Sequence, residues 1–165
     1  MATPTSLPAS FTSSTLASAT LNNLRGAFRV LQVIQTTYST IVSNSTTTML
    51  DSGLTATITP TGNTNKILII VQQTFGKNSG NANNAVRAQI VSGATAIHVF
   101  QGAALYTGTT LDLVGPSTSA IFLDNPTTLS AIVYKTQFAN FTAANGVSAN
   151  TNNAVATMTL LEISA

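Results

Sequence analysis

The sequence predicts an all-β protein, an antiparallel β-sandwich of jelly-roll type behind an extended N-terminal arm. Three observations predict it. From Ala27 onward, β-branched and aromatic runs alternate with Gly, Pro, Asn and Asp clusters. Several runs alternate apolar and polar residues with period two, the signature of a strand with one buried face. No stretch of that region carries a helical apolar period of useful length, so crossover βαβ units are not expected. About eight or nine short strands at regular spacing point to a sandwich or jelly roll.

Residues 1–28 read differently. They are rich in Ser, Thr, Ala and Pro, with apolar Leu7, Phe11, Leu16 and Leu21 set apart from one another. Ser14 to Leu24 has the composition for one short helix. Two readings stay open: a disordered leader, or an arm whose spaced apolar residues anchor on a partner. The arm is expected over 1–28 and the sandwich over 29–165.

The strands are expected in this order. Ala27 to Thr36 is the first, and Thr46 to Asp51 a weaker second. Leu54, Ala56 and Ile58 alternate with threonines up to Pro60. Thr61 to Asn65 is turn chemistry. Lys66 to Phe75 reads as a central strand buried on both sides, and Gly76 to Asn84 as a long loop. Val86 to Val91 and Thr95 to Gln101 form a hairpin about Ser92-Gly93. Leu111 to Val114 and Thr118 to Leu123 read as two strands split by Gly115-Pro116. Ser130 to Phe138 places Ile132, Tyr134, Thr136 and Phe138 on one face. Asn140 to Asn153 reads as a polar loop. Ala154 to Ser164 closes the domain, with Ala156, Met158, Leu160 and Glu162 on one face.

Composition narrows the function classes. Six Lys+Arg and four Asp+Glu make 6% of the 165 residues, against about a quarter in ordinary soluble domains. Solubility falls to Thr, Ser, Asn and Gln, and weak mutual repulsion favours association between copies. The basic residues Arg25, Arg29, Lys66, Lys77, Arg87 and Lys135 are scattered, so no nucleic-acid footprint is present. With no cysteine, disulfides and thiolate metal sites are excluded. The longest clean apolar run, Ile67 to Val71, is too short to span a bilayer. The first 24 residues lack the charged and apolar regions of a secretory signal, so synthesis in the producing cell's cytoplasm is expected.

Catalytic chemistry finds few candidates. His98 is the single histidine, and the acids are Asp51, Asp112, Asp124 and Glu162. A ring projecting from a strand or packed at a sheet rim is the reading preferred for His98 over a general base. Asp51 and Asp124 sit where strands end and serve turns. Glu162 reads as a paired edge or interface charge. No metal motif, phosphate loop or nucleophile elbow occurs, and no cofactor is implied. The sequons at Asn44 and Asn140 are read as chance matches in a chain rich in Asn, Ser and Thr. Tyr106 and Phe141 are the candidate exposed aromatics, the type of residue a surface glycan would stack on.

Several segments together resemble a family. They are Val30 to Thr36, Ser52 to Val71, FLDNPTT (Phe122 to Thr128), the Tyr134-Lys135 strand and the closing MTLLEIS (Met158 to Ser164). In this order, over residues 29–164, they resemble small tail-fibre-like and virion structural domains of phages that infect aquatic bacteria, cyanophages included. The resemblance implies a non-enzymatic β-rich domain on the virion exterior, with other virion proteins as partners. The Asn-rich loop and the short arm depart from it, and favour a short fibre, knob or capsid-decorating protein anchored by Leu7, Phe11, Leu16 and Leu21. A closed homotrimer would cover sheet edges, and a host-surface glycan is the expected ligand class if one exists. A free lectin-like module is the alternative.

Overall fold

The computed structural model describes residues 29–78, 84–108, 113–142 and 146–164. The arm residues Leu7, Phe11, Leu16 and Leu21, the helix candidate Ser14 to Leu24, and Asp112 lie outside them.

The described residues form ten strands in chain order: β1 (Val30–Tyr38), β2 (Val42–Asn44), β3 (Leu50–Ile58), β4 (Lys66–Lys77), β5 (Val86–Ser92), β6 (Thr95–Ala104), β7 (Leu113–Asp124), β8 (Ile132–Asn140), β9 (Val147–Ala149) and β10 (Ala156–Ile163). All pairings are antiparallel. One sheet runs β1-β10-β4-β7, because β10 and β7 flank β4 on opposite sides; β9 and β2 continue it beside the far end of β4. The other sheet runs β3-β8-β5-β6. Setting aside the short β2 and β9 and counting the rest along the chain, the sheets read 1-8-3-6 and 2-7-4-5. That is the strand order of a jelly roll, two interleaved Greek keys.

Period-two alternation builds the core. Leu54, Ala56 and Ile58 from β3, Ile67, Ile69 and Val71 from β4, Ile132 and Tyr134 from β8, and Ala156, Met158 and Leu160 from β10 meet in one apolar cluster. Phe75, Val86, Ala88, Phe138, Val147 and Ala149 form a second. Each large apolar side chain so enclosed contributes about 1.5–3 kcal/mol. Between the clusters lies a polar layer. On β4 it is Gln73, between Val71 and Phe75; on β8 it is Thr136, between Tyr134 and Phe138; Ser52 of β3 and Asn150 complete it, all four buried.

The layer closes into a ring of hydrogen bonds. Gln73 Nε2 donates to Ser52 Oγ at 2.9 Å and to Asn150 Oδ1 at 2.8 Å. Thr136 Oγ1 donates to Gln73 Oε1 at 2.9 Å. Its proton being used there, the 2.5 Å contact between Ser52 Oγ and Thr136 Oγ1 has Ser52 as donor. Asn150 Nδ2 donates to the carbonyls of Thr40 and Ser52. Every side-chain proton of the four residues has an acceptor, the condition under which a buried polar group does not destabilise.

Four expectations are corrected. Lys66 to Phe75 is central in its sheet but buried on one face: Ile67, Ile69 and Val71 point inward, while Ile70 and Gln72 are exposed. Gly115-Pro116 does not split two strands. It forms a bulge within β7, two residues opposite the single Phe75 between the pairs Thr74↔Ser117 and Gly76↔Val114. An edge strand tolerates this, since Pro there forfeits no ladder bond. Of the weak strand at Thr46 to Asp51, only Leu50 and Asp51 are strand, as the start of β3; Thr46 to Met49 form the turn between β2 and β3. Asn44 Oδ1 accepts from the Thr46 N–H and hydroxyl, and Asn44 Nδ2 donates to Thr48 O and Phe138 O. The polar loop from Asn140 to Asn153 contains buried β9 and a short 3-10 turn, Thr151–Asn153.

The hairpin between β5 and β6 turns at Gly93, whose φ of 58° suits glycine. Gly53 has φ 89°, and a Cβ there would collide with the Tyr38 ring, so β3 passes close under β1 only because this residue is glycine.

Candidate functional site

Val86, near the start of β5, pairs with Ala104 of β6 on one side and Asn140 of β8 on the other. The segments leaving β6 and β8 therefore emerge side by side. Leu105 turns the first with a left-handed φ of 66°. The second is held by Phe141 N donating to Ala85 O at 2.8 Å. Ala103, Tyr106, Phe141 and Thr142 line an open groove of about 430 Å³ between them. Tyr106 is 55% and Phe141 45% exposed. The two aromatics singled out in the sequence thus share one groove. Among the described residues no carboxylate lines it, and they give it an apolar, ring-bearing surface.

The described carboxylates, Asp51, Asp124 and Glu162, lie elsewhere, each in a structural contact. Asp51 Oδ2 accepts from Lys135 Nζ at 2.8 Å, and Asp51 Oδ1 from Gln137 Nε2 at 2.7 Å. Burial acts to raise its pKa, but Lys135 and Gln137 outweigh it and hold the carboxyl below its usual value. Asp124 Oδ1 accepts from Asn125 N in the turn, and Asp124 Oδ2 from the Tyr134 hydroxyl at 2.6 Å. This bond ties the end of β7 to β8 across the two sheets. Burial and the neighbouring Asp124 push the Tyr134 hydroxyl far above its usual pKa, so it remains a neutral donor.

Glu162 is not the edge or interface charge the sequence suggested. It is fully buried, in phase with Ala156, Met158 and Leu160 on the inner face of β10. Its Oε1 accepts from Thr61 N at 2.6 Å, Thr61 Oγ1 at 2.9 Å and Asn65 Nδ2 at 2.6 Å; its Oε2 accepts from Gln32 Nε2 at 2.6 Å. Burial raises its pKa, and bonds from Asn65, Gln32 and Thr61 more than reverse that, leaving it below the ordinary value. The carboxylate thus staples the turn between β3 and β4 to β1.

His98 stacks on Phe122, ring centroids 5.0 Å apart and planes at 18°. It joins edge strand β6 to edge strand β7, the rim position the sequence reading preferred. Among the described residues, no group of three or more His, Asp or Glu could hold a metal ion, and no helix is long and apolar enough to cross a membrane. Both sequon asparagines are buried: Asn44 is bonded within its turn and Asn140 is fully enclosed. A glycosylating enzyme has no access to either side chain in the folded domain.

The most extended feature is one the sequence reading missed. The outer face of β1-β10-β4-β7 carries a row of apolar residues, one per strand: Val33, Leu161, Leu68 and Leu123 are registered neighbours. Ile70 and Ile121 extend it in the next row, beside Gln35 and Thr159. Ile121 is 67%, Val33 56% and Leu123 48% exposed. The opposite outer face, on β3-β8-β5-β6, carries the Asp51–Lys135 pair, Gln137 and Gln89 in a bonded polar array. Alternation in β4 and β10 was the available signal. Reading β4 as buried on both sides concealed it.

The strand order defines the class of fold, an eight-stranded jelly roll with two short additions. No family model matches the chain, and no curated protein does. Among solved structures, the crystal structure of the infectious bursal disease virus VP2 subviral particle is similar, with a TM-score of 0.42 and 12% identity, over 83% of this chain and 40% of that one.

Proposed function

We propose that this chain is a non-enzymatic structural protein on the exterior of a bacteriophage particle: a short fibre, knob or capsid-decorating subunit held by residues 1–28. One observation carries the reading. The described carboxylates and the imidazole serve turns, ties and stacking, while the outer face of the β1-β10-β4-β7 sheet is apolar and carries little charge. A molecule so arranged is suited to being built into a larger object rather than to turning over a substrate. Jelly rolls serve as capsid and lectin domains, but fold alone does not choose between them.

The groove beside Tyr106 and Phe141 favours a second reading, a lectin-like module that binds a surface glycan through ring stacking. The two readings separate on particle association. Particles lacking the protein are mixed with the full chain and with a form lacking residues 2–26. The structural reading expects the full chain to incorporate and the shortened form to lose roughly tenfold or more in occupancy, about 1.4 kcal/mol. Equal incorporation removes the anchoring role of Leu7, Phe11, Leu16 and Leu21. No incorporation of either form, with glycan binding by the free protein, selects the lectin.

A further inference from the structure

We infer that the outer face of the β1-β10-β4-β7 sheet is the contact between copies of this chain. The inference deepens the structural reading above by naming the partner that covers this face. Three observations lead to a second copy.

The first is shape and size. Four strands about 4.8 Å apart and nine residues at about 3.3 Å make a face of roughly 19 by 30 Å, about 570 Å². Two such faces together remove roughly 1,100 Å², above the ~1,000 Å² that separates specific interfaces from incidental ones.

The second is anatomy. The Val33-Leu161-Leu68-Leu123 row, with Ile70 and Ile121, forms an apolar centre. The row Thr37-Thr157-Gln72-Ser119 borders it on one side with hydroxyls and an amide, and Lys66 marks the other. An apolar centre with a polar, hydrogen-bonding rim is how protein interfaces are organised.

The third is charge. Lys66, at the end of β4 beside Ile163, is the ionisable side chain in the registered rows of this face. Identical faces therefore meet with little of the repulsion that opposes homotypic contact, and a single lysine at the face's end is a weak basis for selecting an oppositely charged foreign partner. Asp51 and Lys135 lie on the other sheet, facing away.

Sedimentation of the purified full chain tests the inference. The 17.0 kDa chain is expected to run as a dimer at micromolar concentration, because two identical faces that meet define a two-fold contact. Ile121→Lys places a charge within the apolar patch, on a highly exposed side chain of edge strand β7, and is expected to weaken association by roughly a hundredfold. Val33→Thr with Ile121→Thr keeps strand-forming shapes and is expected to weaken it by roughly tenfold. Val99→Lys, on the exposed side of β6 in the other sheet, leaves association unchanged. Circular dichroism confirms that each variant keeps its β signal. A monomeric full chain overturns the inference, as does an oligomer that both face variants leave intact. A monomer that still incorporates into particles removes the contact between copies and leaves the structural role standing.

Discussion

Gln73→Leu is expected to cost about 3–5 kcal/mol, although leucine nearly matches the replaced volume. The substitution leaves Asn150 Oδ1 without its donor, Thr136 Oγ1 without its acceptor and Ser52 Oγ without one of its three partners. A buried polar group left unpaired costs about 1–3 kcal/mol, and two or three are stranded at once. Urea unfolding followed by circular dichroism measures the loss. The ring also predicts non-additivity. Gln73→Leu, Thr136→Val and Ser52→Ala together remove most of the stranded atoms, so the triple variant is expected to lose at least about 1 kcal/mol less than the sum of the singles. Additive losses would mean the three side chains act independently.

Glu162→Ala is expected to cost about 2–3 kcal/mol and to lower Tm by roughly 4–12 °C. It removes the acceptor of four hydrogen bonds and frees the β3–β4 turn from β1. The effect has a pH signature. The folded carboxyl titrates below its ordinary value of 4.5. A depressed folded pKa contributes stability that is complete above the unfolded value and is lost as pH falls through the folded one. Wild-type Tm is therefore expected to drop as pH falls below about 4.5, and a Glu162→Gln variant to show a shallower drop. Asp51 shifts in the same direction, but its half-exposed pair with Lys135 is screened by solvent and adds less. Parallel Tm profiles for wild type and Glu162→Gln would contradict the assignment.

Much of the fold was legible because its strands alternate. Leu54, Ala56 and Ile58 are buried as their spacing predicts, as are Ile132, Tyr134, Thr136 and Phe138. The same spacing placed Gln73 in phase with Ile69 and Val71, and Glu162 in phase with Met158 and Leu160. Those positions announced buried polar side chains, but their partners come from strands remote in sequence, and spacing within one strand does not reveal them. Strand order was illegible for the same reason: β1 pairs with β10, at the far end of the chain. Gly115-Pro116 misled because a turn dipeptide and an edge bulge use the same residues. Of the candidate site, exposure of Tyr106 and Phe141 was legible from their loop settings. Their meeting in one groove depends on β5 lying between β6 and β8.

The apolar outer face shows the other limit of reading strands singly. Val33, Leu68, Leu123 and Leu161 look unremarkable along their own segments. Antiparallel register lines them up across the sheet, and only that alignment turns four isolated side chains into a surface.

The central claim is that this jelly roll works as a component of a particle, with its charge-poor sheet face turned toward its neighbours. An electron cryo-microscopy map of the intact phage particle tests it most directly. The account predicts eight-stranded density on the exterior, with Val33 and Ile121 enclosed between adjacent copies. Particles of full infectivity with no such density, or copies that meet only through the Asp51–Lys135 side while Ile121 faces solvent, would contradict it.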